Sequence, residues 1–175
     1  QNFLVDPALL QAIPQDAGVQ EGDMVFEIGP GAGALTAALL TAGAQVFAVE
    51  LDYGLFAWLE ESFADAISSG QLHLVQGDAL GKDPELHPQV EEWWAQYPHV
   101  KVVANLPYSI SGPFLGRLPG RPMGGACLLL QKEMAEKAVG GTGKSVGPLS
   151  IRLELSFCAQ MGRRLPPEVF WPRPK

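Results

Sequence analysis

The chain has 175 residues, 47% apolar and 18% charged. That balance fits about one folded domain with a substantial core and excludes a coiled coil or a disordered tail. Its longest apolar stretches, such as residues 126–130, fall far short of the roughly 20 residues that span a bilayer. The net charge of −7 is uneven: residues 1–116 carry Lys82 and Lys101 against fifteen acids, whereas residues 117–175 carry ten cations against four acids. Such asymmetry points to a polyanionic partner if those cations share one face, and to ordinary solvated charge otherwise.

In chain order, residues 7–13 have a helical rhythm that stops at Pro14. Residues 24–28 are an apolar run read as a buried strand, followed by a glycine-rich bend at 29–33 and a helix at 34–42. A second strand at 45–49 closes on Glu50, and residues 53–67 form one helix with an apolar stripe of Tyr53, Phe56, Ala57, Leu59 and Phe63. Strands follow at 72–75, 100–104 and 126–130, with helices at 85–97, 112–118 and 131–139. Residues 140–147 (GGTGKSVG) read as a flexible loop, and 163–175 are Pro-rich. Residues 149–157 place Leu149, Ile151, Leu153, Leu155 and Phe157 at alternate positions, as a strand would, yet also suit a buried helix. Alternating strands and helices predict an α/β protein with a mostly parallel central sheet. Cys127 and Cys158 make no metal-ligand pattern and are expected as reduced core thiols. With no signal peptide visible, a cytoplasmic location is expected.

Chemistry concentrates at four predicted strand ends. Glu27-Ile28-Gly29-Pro30-Gly31-Ala32-Gly33 joins a strand to a helix, where glycines let the backbone turn sharply and approach a ligand. Glu50 follows Gly29 by 21 residues and can accept hydrogen bonds from ribose hydroxyls. Gly29-x-Gly31-x-x-Ala34 satisfies a nicotinamide dinucleotide pattern; Gly29-x-Gly31-x-Gly33 preceded by Glu27 suits S-adenosylmethionine better. Asp78, at the third strand end, can accept from an exocyclic adenine amine or simply cap a turn. Asn105-Leu106-Pro107-Tyr108 ends the fourth strand. An aromatic amine has a delocalised, poorly nucleophilic lone pair. The Asn105 amide oxygen and the Leu106 carbonyl can accept its two N–H groups and favour a tetrahedral nitrogen as attack begins. Pro107 stiffens the turn, and Tyr108 can stack on an extruded base.

Seven ordered segments carry a resemblance: QNFL (1–4), EIGPGAGALT (27–36), VELD (49–52), GDAL (77–80), NLPYSIS (105–111), LLQKE (129–133) and FWPRPK (170–175). With them the chain resembles the ribosomal RNA adenine N6,N6-dimethyltransferase family, in its bacterial small-subunit branch. The resemblance implies a class I, Rossmann-like, S-adenosylmethionine-dependent methyltransferase fold. It implies methylation of two adjacent adenosines near the 3′ end of 16S rRNA in the small ribosomal subunit, by a monomer with no membrane association. Cofactor contacts carry over to Asn2, Leu4, Gly29, Gly31, Glu50, Asp78 and Asn105, and Phe170 becomes a second aromatic wall for the target base. It favours a helix over 149–157. It also leads us to expect residues 1–175 to be the catalytic domain, without the family's last sheet strand and C-terminal helical RNA-binding domain. Three other readings stay open: a large-subunit rRNA methyltransferase of the antibiotic-resistance type, a non-catalytic rRNA-binding assembly factor, and a nicotinamide oxidoreductase.

Overall fold

The computed structural model describes residues 3–140 and 146–173. Five strands form one parallel sheet: β2 (Met24–Ile28), β3 (Gln45–Glu50), β4 (Leu72–Gln76), β5 (Lys101–Asn105) and β6 (Gly125–Leu129), in the order β4-β3-β2-β5-β6. The central strands are nearly continuous apolar runs because helices cover both faces. Phe26, Phe47 and Val102 point into one cluster with Trp94 and Phe114; Val25, Val46 and Val103 point into another with Leu35 and Leu39. Successive side chains alternate between faces, so one sheet feeds two cores.

From β2 the chain winds outward through α2 (Ala34–Thr41), β3, α3 (Tyr53–Ser62), α4 (Ala64–Ser68) and β4. It then returns through α5 (Pro88–Gln96) to β5, on the other side of β2, and continues through α6 (Tyr108–Leu115), β6 and α7 (Lys132–Val139). The winding direction therefore reverses between β2 and β5. A crevice opens at the carboxyl ends of these two strands, where ligands of such sheets bind.

Several elements differ from the sequence reading. Helix α1 (Pro7–Asp16) runs through Pro14. The proline sits in the last turn, where little helix remains to be broken, and the stop is Gly18 at φ 61°. Residues 53–67 split at Phe63, whose backbone (φ −116°, ψ 25°) leaves the helix, and the expected stripe is only partly buried: Leu59 is fully buried, Phe56 and Phe63 are half-buried, and Tyr53 and Ala57 are exposed. Helix α6 starts at Tyr108, four residues earlier than expected.

Residues 148–154 are a helix, α8 (Pro148–Glu154), with Pro148 in its first turn and the Gly147 N–H donating to Ser150 Oγ at 2.9 Å. Leu149 and Leu153 pack inward while Ile151 and Leu155 are exposed, so the apparent period of two is half core and half surface. Two short strands escaped notice: β1 (Phe3–Leu4) pairs antiparallel with β7 (Phe170–Trp171), tying both ends of the described chain together. Both cysteines are free thiols, but Cys158 is exposed and not in the core. Burial, with Asp16 nearby, pushes the Cys127 thiol up. Of the expected loop at 140–147, residues 141–145 lie outside the described residues.

Candidate cofactor and substrate site

The glycine loop does two different jobs. At Gly29 (φ 62°) an added Cβ would meet nothing within 4 Å and would project into the open cleft. At Gly33 (φ 83°) it would lie 2.5 Å from the Phe63 ring and 2.9 Å from Leu59, so this glycine lets α2 close against α3. Between them, the Gly31 N–H donates to Glu50 Oε2 at 2.9 Å. Glu50, 3% exposed, also accepts the Asp52 N–H through Oε1 at 2.9 Å. Asp52 in turn caps α3 through the Leu55 N–H.

Glu27 lies beneath the loop at the end of β2, 1% exposed. Thr36 Oγ1, from the first turn of α2, donates to its Oε2 at 2.8 Å. Burial pushes this carboxyl up to about 8, against the Thr36 bond and with help from the charge of Glu50. Sequence reasoning used Glu27 only to choose between loop patterns. Its position two residues before Gly29, in a strand that is otherwise apolar, is the signal that marks it.

A cleft of about 260 Å³ opens beside this loop, and Leu4, Glu27, Gly29 and Asn105 line it together with Leu10 and Leu129. Asn105 ends β5 opposite Leu129 of β6. Leu106 is buried and donates its N–H to the Leu129 carbonyl at 3.1 Å, while the Pro107 carbonyl accepts the Ser111 hydroxyl at 2.8 Å. The Asn-Leu-Pro-Tyr turn is thus pinned from both sides, and Ser111, 1% exposed, is a support that the sequence reading missed. Tyr108, 59% exposed, opens α6 with its ring available to solvent.

Gly31, Glu50, Asp78 and Tyr108 do not line the cleft itself. Along the carboxyl edge the strand order places Asp78 after β4, Glu50 on β3, the glycine loop after β2 and Asn105 on β5. At about 4.8 Å between strands, this row spans roughly 14 Å, enough for a nucleoside with its side chain laid across the edge. Asp78 Oδ1 accepts the Leu80 N–H at 2.9 Å, so the turn-capping alternative is realised. Phe170 pairs with Leu4 across β1 and β7 and packs partly into the second core cluster. Asn2 lies outside the described residues.

Charge discriminates between ligands. Among the described residues, the cleft is lined by a buried acid and by no Lys, Arg or His. A pyrophosphate would meet no compensating cation there, whereas a positively charged ligand would meet a carboxyl able to give up its proton. Of the cations that would have to share one face for a polyanionic partner, five are in ion pairs among the described residues. Arg121 pairs with Glu91 at 2.5 Å, Arg163 with Asp16 at 3.0 Å, Arg173 with Glu168 at 3.2 Å, Arg117 with Asp83 at 3.6 Å and Lys132 with Glu136 at 3.9 Å. Lys144 and Lys175 lie outside the described residues.

Strand order, glycine loop and strand-end acid together define the α/β fold of the class I, S-adenosylmethionine-dependent methyltransferases. The crystal structure of the 23S rRNA methyltransferase ErmE superposes with a TM-score of 0.78 at 24% identity, covering 99% of this chain and 65% of that one. A dimethyladenosine transferase from Plasmodium falciparum gives 0.65 at 27% identity, covering 87% and 52%. The sequence profile of ribosomal RNA adenine dimethylase matches residues 1–175, and the chain belongs to that family. The ribosomal RNA small subunit methyltransferase A of Opitutus terrae is 40% identical over 99% of this chain and 61% of its own length. The chain spans 61–64% of the length of the curated relatives it matches first.

Proposed function

We propose that residues 1–175 are the catalytic domain of an S-adenosylmethionine-dependent enzyme that dimethylates N6 of two adjacent adenosines near the 3′ end of 16S rRNA. We further propose that it works as a monomer in the cytoplasm, on the assembling small ribosomal subunit. The reading rests on one observation above all: Gly29 and Asn105 line the same cleft at the switch point of the sheet, in a chain matched end to end by the rRNA adenine dimethylase family.

When bound, the cofactor supplies a methyl group activated on a positively charged sulfur. The chain does the rest by binding and orientation. Gly29 and Gly31 let the backbone approach the ligand, Glu50 accepts from ribose hydroxyls, and Asp78 accepts from the adenine amine of the cofactor. Leu4 and Asn2 extend the contact from the N-terminal segment. The Asn105 amide oxygen and the Leu106 carbonyl take the two N–H groups of the target amine, holding its lone pair toward the methyl carbon. Pro107 fixes the turn. Tyr108 and Phe170 offer aromatic faces to the flipped base. The amine proton becomes acidic only after methylation makes the nitrogen cationic, so the site needs no strong base.

Substrate choice tests the proposal. The full-length protein that carries this chain should transfer labelled methyl to immature small subunits. Transfer to large subunits instead would select the large-subunit reading, and binding without transfer would select the assembly-factor reading.

A further inference from the structure

Glu27 plays no part in the reaction as derived above, yet it is a fully buried carboxyl in the wall of the cleft. Among the described residues, what faces it is neutral or negative. The Glu50 carboxylate comes from β3 and the Thr36 hydroxyl from α2. The cleft around it adds the Asn105 amide from β5 and the apolar Leu4, Leu10 and Leu129 from β1, α1 and β6. Lys101, the cation of the neighbouring strand, is tied to Asp23 at the opposite end of the sheet. A buried carboxylate with no cation beside it is costly, which is why Glu27 keeps its proton up to about 8. A ligand that brings an added positive charge into the cleft would reverse that balance, and one without that charge would not.

Resting on the cofactor reading above, we propose that Glu27 is the residue by which the cleft distinguishes the sulfonium cofactor from the thioether left after methyl transfer. The carboxyl would release its proton to solvent when the cationic ligand enters, so that the cleft wall carries a carboxylate while the positive charge is present. Loss of the methyl cation to the amine removes that charge, and the carboxylate takes a proton back from solvent. The spent cofactor then sits against a neutral acid and has lost its ionic attraction, so the site favours exchange of product for fresh cofactor. Atoms and charge balance without any further reactant, since the proton of the methylated amine leaves separately.

Calorimetry of the protein with S-adenosylmethionine and with S-adenosylhomocysteine tests this without measuring activity. Titrations at pH 7 in buffers of different ionisation enthalpy count the protons released. With the group near 8, the sulfonium ligand should release about 0.9 proton and the thioether close to none. Between pH 6 and 7 the affinity for the sulfonium ligand should rise about tenfold, flattening above about pH 8, while that for the thioether changes less than about twofold. The amino groups of the two ligands are mainly protonated at pH 7, and the same titrations on Glu27→Gln control for their own ionisation. Glu27→Gln should abolish the difference. Thr36→Val, which removes the bond that favours the charged form, should move the midpoint upward. Equal proton release by the two ligands, or release that persists in Glu27→Gln, overturns this inference and leaves the cofactor reading standing. Failure of both ligands to bind overturns both.

Discussion

Glu50 Oε2 accepts the Gly31 N–H at 2.9 Å, so the acid at the end of β3 holds the turn at the end of β2. Its other oxygen accepts the Asp52 N–H at the same distance. Each carboxylate oxygen has about two acceptor positions, so both backbone bonds can coexist with bonds from a ribose. One buried side chain therefore shapes the glycine loop and, on the proposed reading, also receives the ligand.

That double role predicts a split between two substitutions. Glu50→Ala should lose about 1.5–3 kcal/mol of S-adenosylhomocysteine affinity, the range for a charge-assisted hydrogen bond, and should also lower the melting temperature. Glu50→Gln keeps one acceptor oxygen, so it should recover more stability than affinity. Calorimetry and thermal melts on the same preparations check both. Equal recovery of the two would separate the loop from the ligand.

The glycines of the loop should respond in opposite ways. Gly33→Ala meets both a left-handed φ of 83° and the Phe63 ring, and should cost about 2–4 kcal/mol of stability. Gly29→Ala, at φ 62° but facing open space, should cost only about 1–2 kcal/mol. Gly29 lines the cleft, however, so cofactor affinity should fall about tenfold or more, or ~1.4 kcal/mol. Denaturant unfolding and ligand titration distinguish the two positions. Trimming the opposing ring with Phe63→Leu should relieve part of the Gly33→Ala defect and none of the Gly29→Ala defect.

The strands and their order of burial were legible because apolar runs such as Val25-Phe26 and Val102-Val103 have no other stable place than a sheet covered on both faces. The glycine loop and Glu50 were legible from their spacing together with the strand before and the helix after the loop. What escaped depends on contacts between distant residues. The break at Phe63 belongs with a ring that packs over Gly33, thirty positions earlier. The β1–β7 pair joins Leu4 to Phe170 across almost the whole chain. Leu149 and Leu153 could be told from Ile151 and Leu155 only once α8 had a side to face. In the site, Glu27 stood out in the sequence only as an acid in an otherwise apolar strand; its protonation follows from burial beside Glu50 and Thr36, which no local pattern encodes.

Glu27 also makes stability depend on pH in the unliganded protein. Its folded value, about 8, lies above the unfolded value of 4.5. The folded chain therefore holds more protons than the unfolded one between those limits. The contribution is fully present below about 4.5 and is lost as the pH rises through about 8. Glu27→Gln cannot ionise, so its melting temperature should decline less than the wild type between pH 5 and 8. Parallel melting curves across that range would show that Glu27 does not titrate as its surroundings dictate.

The most direct measurement of the central claim is single-turnover methyl transfer to immature small subunits, with saturating cofactor and the full-length protein carrying this chain, followed by identification of the modified nucleosides. The account predicts N6,N6-dimethyladenosine at two adjacent positions. Asn105→Ala should slow the transfer about 10²–10³-fold, as loss of a transition-state acceptor does. Tyr108→Ala should cost about 1–3 kcal/mol of base stacking, and Tyr108→Phe little, because the face and not the hydroxyl stacks. A near-normal rate for Asn105→Ala, or a Tyr108→Phe defect as large as that of Tyr108→Ala, would contradict the account of amine activation and base capture at the end of β5.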